Sequence, residues 1–131
     1  MSTYRVGSGT SQITLEVDIN TFGLAASRAI VLNILSQDPE TTVGHSLNAT
    51  GDIPLKDIGT RDFLVGKRLS IMTKIDLLGD LPERKKEAER LSAKYTLDQG
   101  PNGPLSVSDP MKVISKDFKT VILYREFDLI I

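Results

Sequence analysis

The chain has 131 residues, with 16 basic and 17 acidic side chains and a formal net charge of −1. Leu, Ile, Val and Phe account for 40 of these residues, which excludes a disordered or fibrous chain and predicts one folded domain over residues 1–131. The near-neutral charge argues against a nucleic-acid partner, because phosphate backbones are bound by a basic face.

Apolar residues recur with period two in several short segments along the chain, which predicts strands. Residues 12–19 and 68–77 alternate, with Thr73 on the apolar face of the second segment, and residues 29–35 are nearly continuously apolar, as in a central strand covered on both faces. Weaker strands are predicted at residues 4–6, 41–47, 52–55, 93–97 and 105–107. Gly, Pro, Asn and Asp separate these segments, which is typical of turns in an antiparallel fold.

One segment indicates a helix instead. Asp80 precedes Pro82 and Glu83, the residue types that favour the start of a helix, and apolar residues then follow at helical spacing. A long hairpin is the alternative for the same residues. The complete pattern predicts a mainly β fold, an antiparallel β-sandwich of about seven or eight strands with Greek-key-like connections and room for one short helix near 81–90.

Catalytic chemistry has little support in the sequence, and we predict no catalytic, cofactor-binding or metal-binding residues. The chain has no cysteine, and its single histidine is His45. No Gly-x-Ser-x-Gly motif accompanies that histidine, and the glycine-rich segments at 7–10 and 59–68 lack the spacing of a phosphate-binding loop. A small hydrolase built around His45 is therefore only the third hypothesis for the function.

Carboxylates gather in the predicted loops, and these support the second hypothesis. A sandwich whose loops converge at one end binds calcium or anionic headgroups with such residues, as C2 domains do, although this analogy concerns the fold alone. The spacing of a calcium-binding loop is not present, and acidic loops are usually only solvated. The residues concerned are Asp38, Glu40, Asp57, Asp62, Asp98 and Asp109.

The leading hypothesis is a non-enzymatic structural or protein-interaction module, with a homo-oligomer or another protein as partner. The C-terminal strand keeps period two through residues 121–131, with Arg125 interrupting its apolar face, and it ends on apolar residues. An apolar strand at a sheet edge pairs readily with another chain, and the polar segment 1–11 is expected to be loose enough to reach a neighbour. The interface candidates are Tyr124, Phe127, Leu129, Ile130 and Ile131.

The sequence also predicts a cellular location. Residues 1–11 lack the apolar stretch of a signal peptide, and no window approaches the roughly 18 apolar residues of a membrane span. We therefore expect a cytoplasmic protein without a membrane span, while export without a signal, as part of a larger machine, stays open. The identity of the partner, the strand order and the oligomer size do not follow from the sequence.

Overall fold

The computed structural model describes residues 2–34 and 40–131, of which 58% lie in strands and 11% in helices. These strands form two antiparallel-rich sheets around one apolar core, which confirms the mainly β, sandwich-like fold. The described residues contain ten strands instead of seven or eight.

The large sheet has six strands, and its order is β1-β10-β6-β3-β4, with β9 also pairing with β10. Since β6 occupies one side of β10, both β1 and β9 lie on the other side, against different parts of it. All pairs are antiparallel except β1 with β10, which is parallel. The bounds are β1 Ser2–Arg5, β3 Leu24–Asn33, β4 Thr41–His45, β6 Lys67–Asp76, β9 Met111–Ile114 and β10 Thr120–Ile130.

The small sheet has four strands in the order β5-β2-β7-β8. Its pairing is regular between β2 and β7, whereas two register shifts interrupt the pairing of β2 with β5. The bounds are β2 Gln12–Asn20, β5 Ile53–Thr60, β7 Ser92–Asp98 and β8 Leu105–Val107.

Two helices connect strands of different sheets. Helix α2 (Leu81–Arg90) begins where the Asp80 side chain accepts a hydrogen bond from the Glu83 amide, so the helix predicted at 81–90 is confirmed and the hairpin is excluded. The following strand starts at Ser92, close to the predicted position. The one-turn helix α1 (Arg61–Leu64) is capped by Thr60 in the same way and was not predicted from the sequence.

The inward faces of both sheets carry the residues that the period-two pattern assigned to the core. In β6, Leu69, Ile71 and Ile75 are buried and Lys74 is exposed. The same face buries Thr73, whose hydroxyl lies 2.6 Å from that of Ser27 on β3, so this polar pair is satisfied inside the apolar core.

The prediction for residues 29–35 is only partly right. Strand β3 is interior to the large sheet, between β6 and β4, but only one of its faces is covered. Its buried positions are Ala25, Ser27, Ala29 and Val31, while alternate residues face outward. The sequence is apolar at successive positions here because Ile30 and Leu32 are half-buried on that outer face. Leu35, the last residue of the predicted strand, lies outside the described residues.

Both chain ends differ from expectation. Segment 1–11 was expected to be loose, but its residues 2–5 form β1, and the Val6 amide donates a 2.7 Å hydrogen bond to the Ile130 carbonyl. Ile131, assigned to the core phase, is 70% exposed because β10 ends one residue before it.

Candidate interaction surface

The outer face of the large sheet carries a contiguous group of apolar side chains, which we call the outer patch. In the sheet register, Tyr124 of β10 stands between Met72 of β6 and Met111 of β9. Ile122 pairs with Val113 one row along the same face. The outer patch therefore consists of Met72, Met111, Val113, Ile122 and Tyr124.

The outer patch is accessible to solvent. Met111 is 68% exposed, Val113 51% and Met72 40%, and the side chains of Ile122 and Tyr124 are half-buried between them. Charged residues of both signs, including Lys74 beside Ile122, border the patch. An apolar patch with a polar rim is characteristic of surfaces that bind other proteins, and methionine and tyrosine are enriched there.

Strand β9 forms the free margin of this patch. All four of its residues are exposed, so neither face of the strand is covered by the small sheet. The charged residue of this strand, Lys112, faces inward, and its Nζ donates to the Ala88 carbonyl of α2, 3.0 Å away. Among the described residues β9 pairs with β10 alone, which leaves its outer edge open.

Three other edge strands, β4, β5 and β8, are better protected. β5 contains Pro54 and two register shifts, β4 pairs across a bulge, and β8 has only three residues. Prolines, bulges and short strands all hinder the addition of a further strand. β9 has only four residues, but it contains no proline and pairs with β10 without a register shift, so its outer edge is open to pairing with another chain.

A groove of about 730 Å³ adjoins the outer patch where β9 and β1 diverge. β9 pairs with residues 121–124 of β10, and β1 pairs with residues 127–130, so no described strand pairs with Arg125 and Glu126 on this side. The groove is lined by Ser2, Asp109, Pro110, Met111, Tyr124, Arg125 and Glu126.

Arg125 forms the floor of the groove and explains why the apolar phase of β10 is interrupted there. Its side chain is 14% exposed, and its Nη1 lies 3.0 Å from a carboxylate oxygen of Asp109. Nη2 donates to the Ser2 hydroxyl, and the guanidinium stands 5.1 Å from the centre of the Phe127 ring. Arg125 thus ties together β10, β1 and the segment that leads into β9.

Tyr95 of β7 is fully buried, and its hydroxyl has no hydrogen-bond partner among the described residues. Burial raises the pKa of Tyr95 to about 12, and the positive charge of Arg125 opposes that rise. The hydroxyl therefore stays neutral throughout the physiological pH range.

Of the sequence-predicted interface residues, Tyr124 lies at the centre of the outer patch. Phe127 and Leu129 are each 1% exposed and belong to the core, so they offer no surface to a partner. Ile130 is 43% exposed on the same face as Tyr124, and Ile131 follows the strand. Because β10 is paired on both sides, the terminal strand is not the edge that the sequence argument assumed.

Sequence reasoning missed the outer patch as a unit, because Met72 and Met111 are 39 positions apart and meet only through β10. It also missed β9. The available signal was the apolar segment Met111–Ile114, which directly follows the turn residues Asp109 and Pro110.

The remaining predicted site residues are separated. His45 is exposed at the end of β4, and its Nδ1 lies 3.1 Å from the Ser46 carbonyl oxygen, while the Ser46 hydroxyl accepts from the Ser27 amide. His45 and the Ser46 hydroxyl therefore do not form a nucleophile–base pair in this arrangement.

The loop carboxylates are mostly engaged in local contacts. Glu40 pairs with Arg28 at 2.8 Å, and Asp62 accepts from the Gly9 amide. Asp98 accepts from the Gln99 amide, Asp109 pairs with Arg125, and Asp57 lies within β5. Asp38 lies outside the described residues, and within the described ranges no three carboxylate or histidine side chains gather as a metal site would require.

No protein-family model, curated protein or solved structure matches this chain. In residues 2–34 and 40–131, no helix has the length and apolar character needed to cross a membrane.

Proposed function

We propose that this protein is a non-enzymatic interaction module that binds another protein chain through the outer patch. The observation that carries the proposal is the accessible row of Met111, Tyr124 and Met72, continued by Val113, beside a strand edge that no described strand covers. The partner is a second copy in a homo-oligomer or a different protein, and the cytoplasmic location stays part of this proposal.

Site-specific photocrosslinking tests the proposal whichever protein the partner is. A benzophenone side chain introduced at Val113 is irradiated in living cells of the source organism, and covalent adducts are counted. Leu55 provides the matched control, since it is also an exposed apolar residue on an edge strand, at 65% exposure. We expect adducts from position 113 and few from position 55.

Two further measurements complete the test. Met72→Glu, which adds a charge to the patch without changing position 113, should strongly reduce the adducts. Light scattering of the wild type at tens of micromolar distinguishes a second copy from another protein, because only the former raises the mass above that of the 14.4 kDa chain. Equal yields from positions 113 and 55 combined with a monomeric mass would contradict the proposed function.

A further inference from the structure

The residues that line the groove beside β9 include two carboxylates and one guanidinium, so their formal net charge is −1. The Asp109 side chain is 81% exposed, and that of Glu126 is 39% exposed. Among the described residues that line the groove Arg125 is the one cation, and one of its terminal nitrogens pairs with Asp109 while the other donates to the Ser2 hydroxyl. Glu126 shares Arg68 with Asp128, and its own contact with that guanidinium is the longer, at 3.7 Å against 2.8 Å.

The walls of the groove suit a long cationic side chain. Tyr124 contributes an aromatic ring, and Met111 and Pro110 contribute apolar surface. The aliphatic part of a Lys or Arg side chain packs on such a surface while its charged end remains near carboxylates, and a cation is further attracted by the face of an aromatic ring. An acidic side chain would meet Asp109 and Glu126 with the same sign of charge.

The open edge of β9 defines the conformation of the partner. An extended segment laid along this edge would form backbone hydrogen bonds with β9 and place alternate side chains on the outer face. Met111 is both the first residue of β9 and part of the groove wall, so the groove lies at the Met111 end of the edge along which such a segment would pair.

Building on the proposed function, we propose that the partner is an extended segment that adds to the large sheet beside β9. A Lys or Arg of this segment enters the groove between Asp109 and Glu126. The carboxylates of Asp109 and Glu126 are partly exposed to solvent. Their attraction for a cation therefore discriminates between extended segments of different sequence, and it weakens when salt screens the charges.

NMR titration with two designed peptides tests the inference. The probes are acetylated, amidated Thr-Val-Lys-Val-Thr and its Thr-Val-Glu-Val-Thr counterpart, added to the ¹⁵N-labelled full chain. We expect the lysine peptide to shift the amides of residues 109, 111–114 and 124–126, and the glutamate peptide to bind about fivefold more weakly. The difference should shrink at high salt.

Glu126→Gln should remove most of the preference for the lysine peptide while leaving the rest of the spectrum unchanged. Asp76→Asn is the matched control, because Asp76 is an exposed carboxylate on the same face, at the far end of β6. That variant should keep the full preference.

Equal affinity for the two peptides, or shifts confined to regions away from β9, would overturn the inference. The proposed function would survive this result if photocrosslinking from Val113 still succeeded, so the two failures are distinguishable. A wild-type oligomer whose β9 amides are covered by a second copy would also overturn the inference, since the edge would then be occupied by the chain itself.

Discussion

β1 and β9 both pair with the same side of β10, yet they differ in what they contribute to the fold. β1 inserts Tyr4 into the core at 5% exposure, where the Tyr4 hydroxyl donates to the Gly103 carbonyl and accepts from the Gly100 amide. β9 has no buried residue at all. The large sheet therefore ends in one strand that the core requires and one that it does not.

The difference follows from what lies behind each strand. Behind β1 the loop at residues 99–104 closes over Tyr4. Behind β9 the inward-facing Lys112 reaches only the Ala88 carbonyl, near the end of α2. A strand held mainly by backbone pairing is free to use its side chains and its outer edge for binding, and such regions are also the least stable parts of a domain.

The largest expected effect on stability comes from a substitution in β1, and a substitution in β9 provides the direct comparison. Tyr4→Ala removes a buried ring and two hydrogen bonds, and we expect it to lower the free energy of unfolding by about 3–5 kcal/mol. Val113→Ala in β9 should change that free energy by less than about 1 kcal/mol. Urea unfolding of both variants measures the difference, and similar losses would remove the distinction between the strands.

Stability at alkaline pH tests the core beneath the groove. Because the pKa of Tyr95 is raised to about 12, the folded state keeps this side chain neutral while the unfolded chain ionises near pH 10. The free energy of unfolding is therefore unaffected by this ionisation below pH 10. It falls by about 3 kcal/mol in total as the pH rises from 10 to 12.

Tyr95→Phe should reduce this alkaline loss and leave stability at pH 7 unchanged or slightly higher, since the deleted hydroxyl has no partner among the described residues. Burial also raises the pKa of Tyr4, so part of the pH dependence should remain in the variant. Unfolding curves recorded between pH 8 and pH 12 provide the measurement. An identical alkaline slope in the variant and the wild type would refute this assignment.

Tyr4→Phe isolates the hydrogen bonds that anchor β1. The ring and its packing remain, whereas the Gly103 carbonyl and the Gly100 amide lose their side-chain partner. We expect a loss of about 1–2 kcal/mol, measured by the same unfolding experiment. No loss would mean that water replaces the hydroxyl and that packing alone holds β1.

The smallest effect on stability is expected from Val113→Lys, because residue 113 is half exposed on an edge strand. Stability should change by no more than about 0.5 kcal/mol, measured by urea unfolding. Binding or self-association through the outer patch should nevertheless be lost. Ile130→Lys, on the same face six residues beyond Tyr124, is the control that should preserve binding. The opposite result would move the interface to the C-terminal end of β10.

The sequence was sufficient for the core and for α2, since both depend on local spacing. Alternation in 68–77 identified the buried side of β6, and Asp80 identified the start of the helix. The position of β1 could not be predicted, because Ser2 and Phe127 are paired across almost the whole chain. Such pairing depends on the assembled sheet and has no signature within either segment.

The site was harder to predict than the fold for a related reason. Exposure on both faces of β9 removes the apolar–polar alternation by which a strand is recognised. The period-two pattern placed Phe127 and Leu129 on the core face, and the structure shows them buried there, so only the outward-facing part of the predicted interface set remains accessible. Tyr124 was identified, but its neighbours Met72 and Met111 come from other strands.

Native-state hydrogen exchange tests most directly whether β9 is separable from the fold that β1 helps to hold. The Val6 amide, which is bonded to the Ile130 carbonyl beside β1, should exchange only through unfolding with nearly the full stability of the domain. The amides of β9 that pair with β10 should exchange through local opening, at a free energy several kcal/mol lower and insensitive to low urea. If the β9 amides instead exchanged with the same free energy and urea dependence as Val6, then β9 would be an integral part of the core unit and would not be separable from the fold.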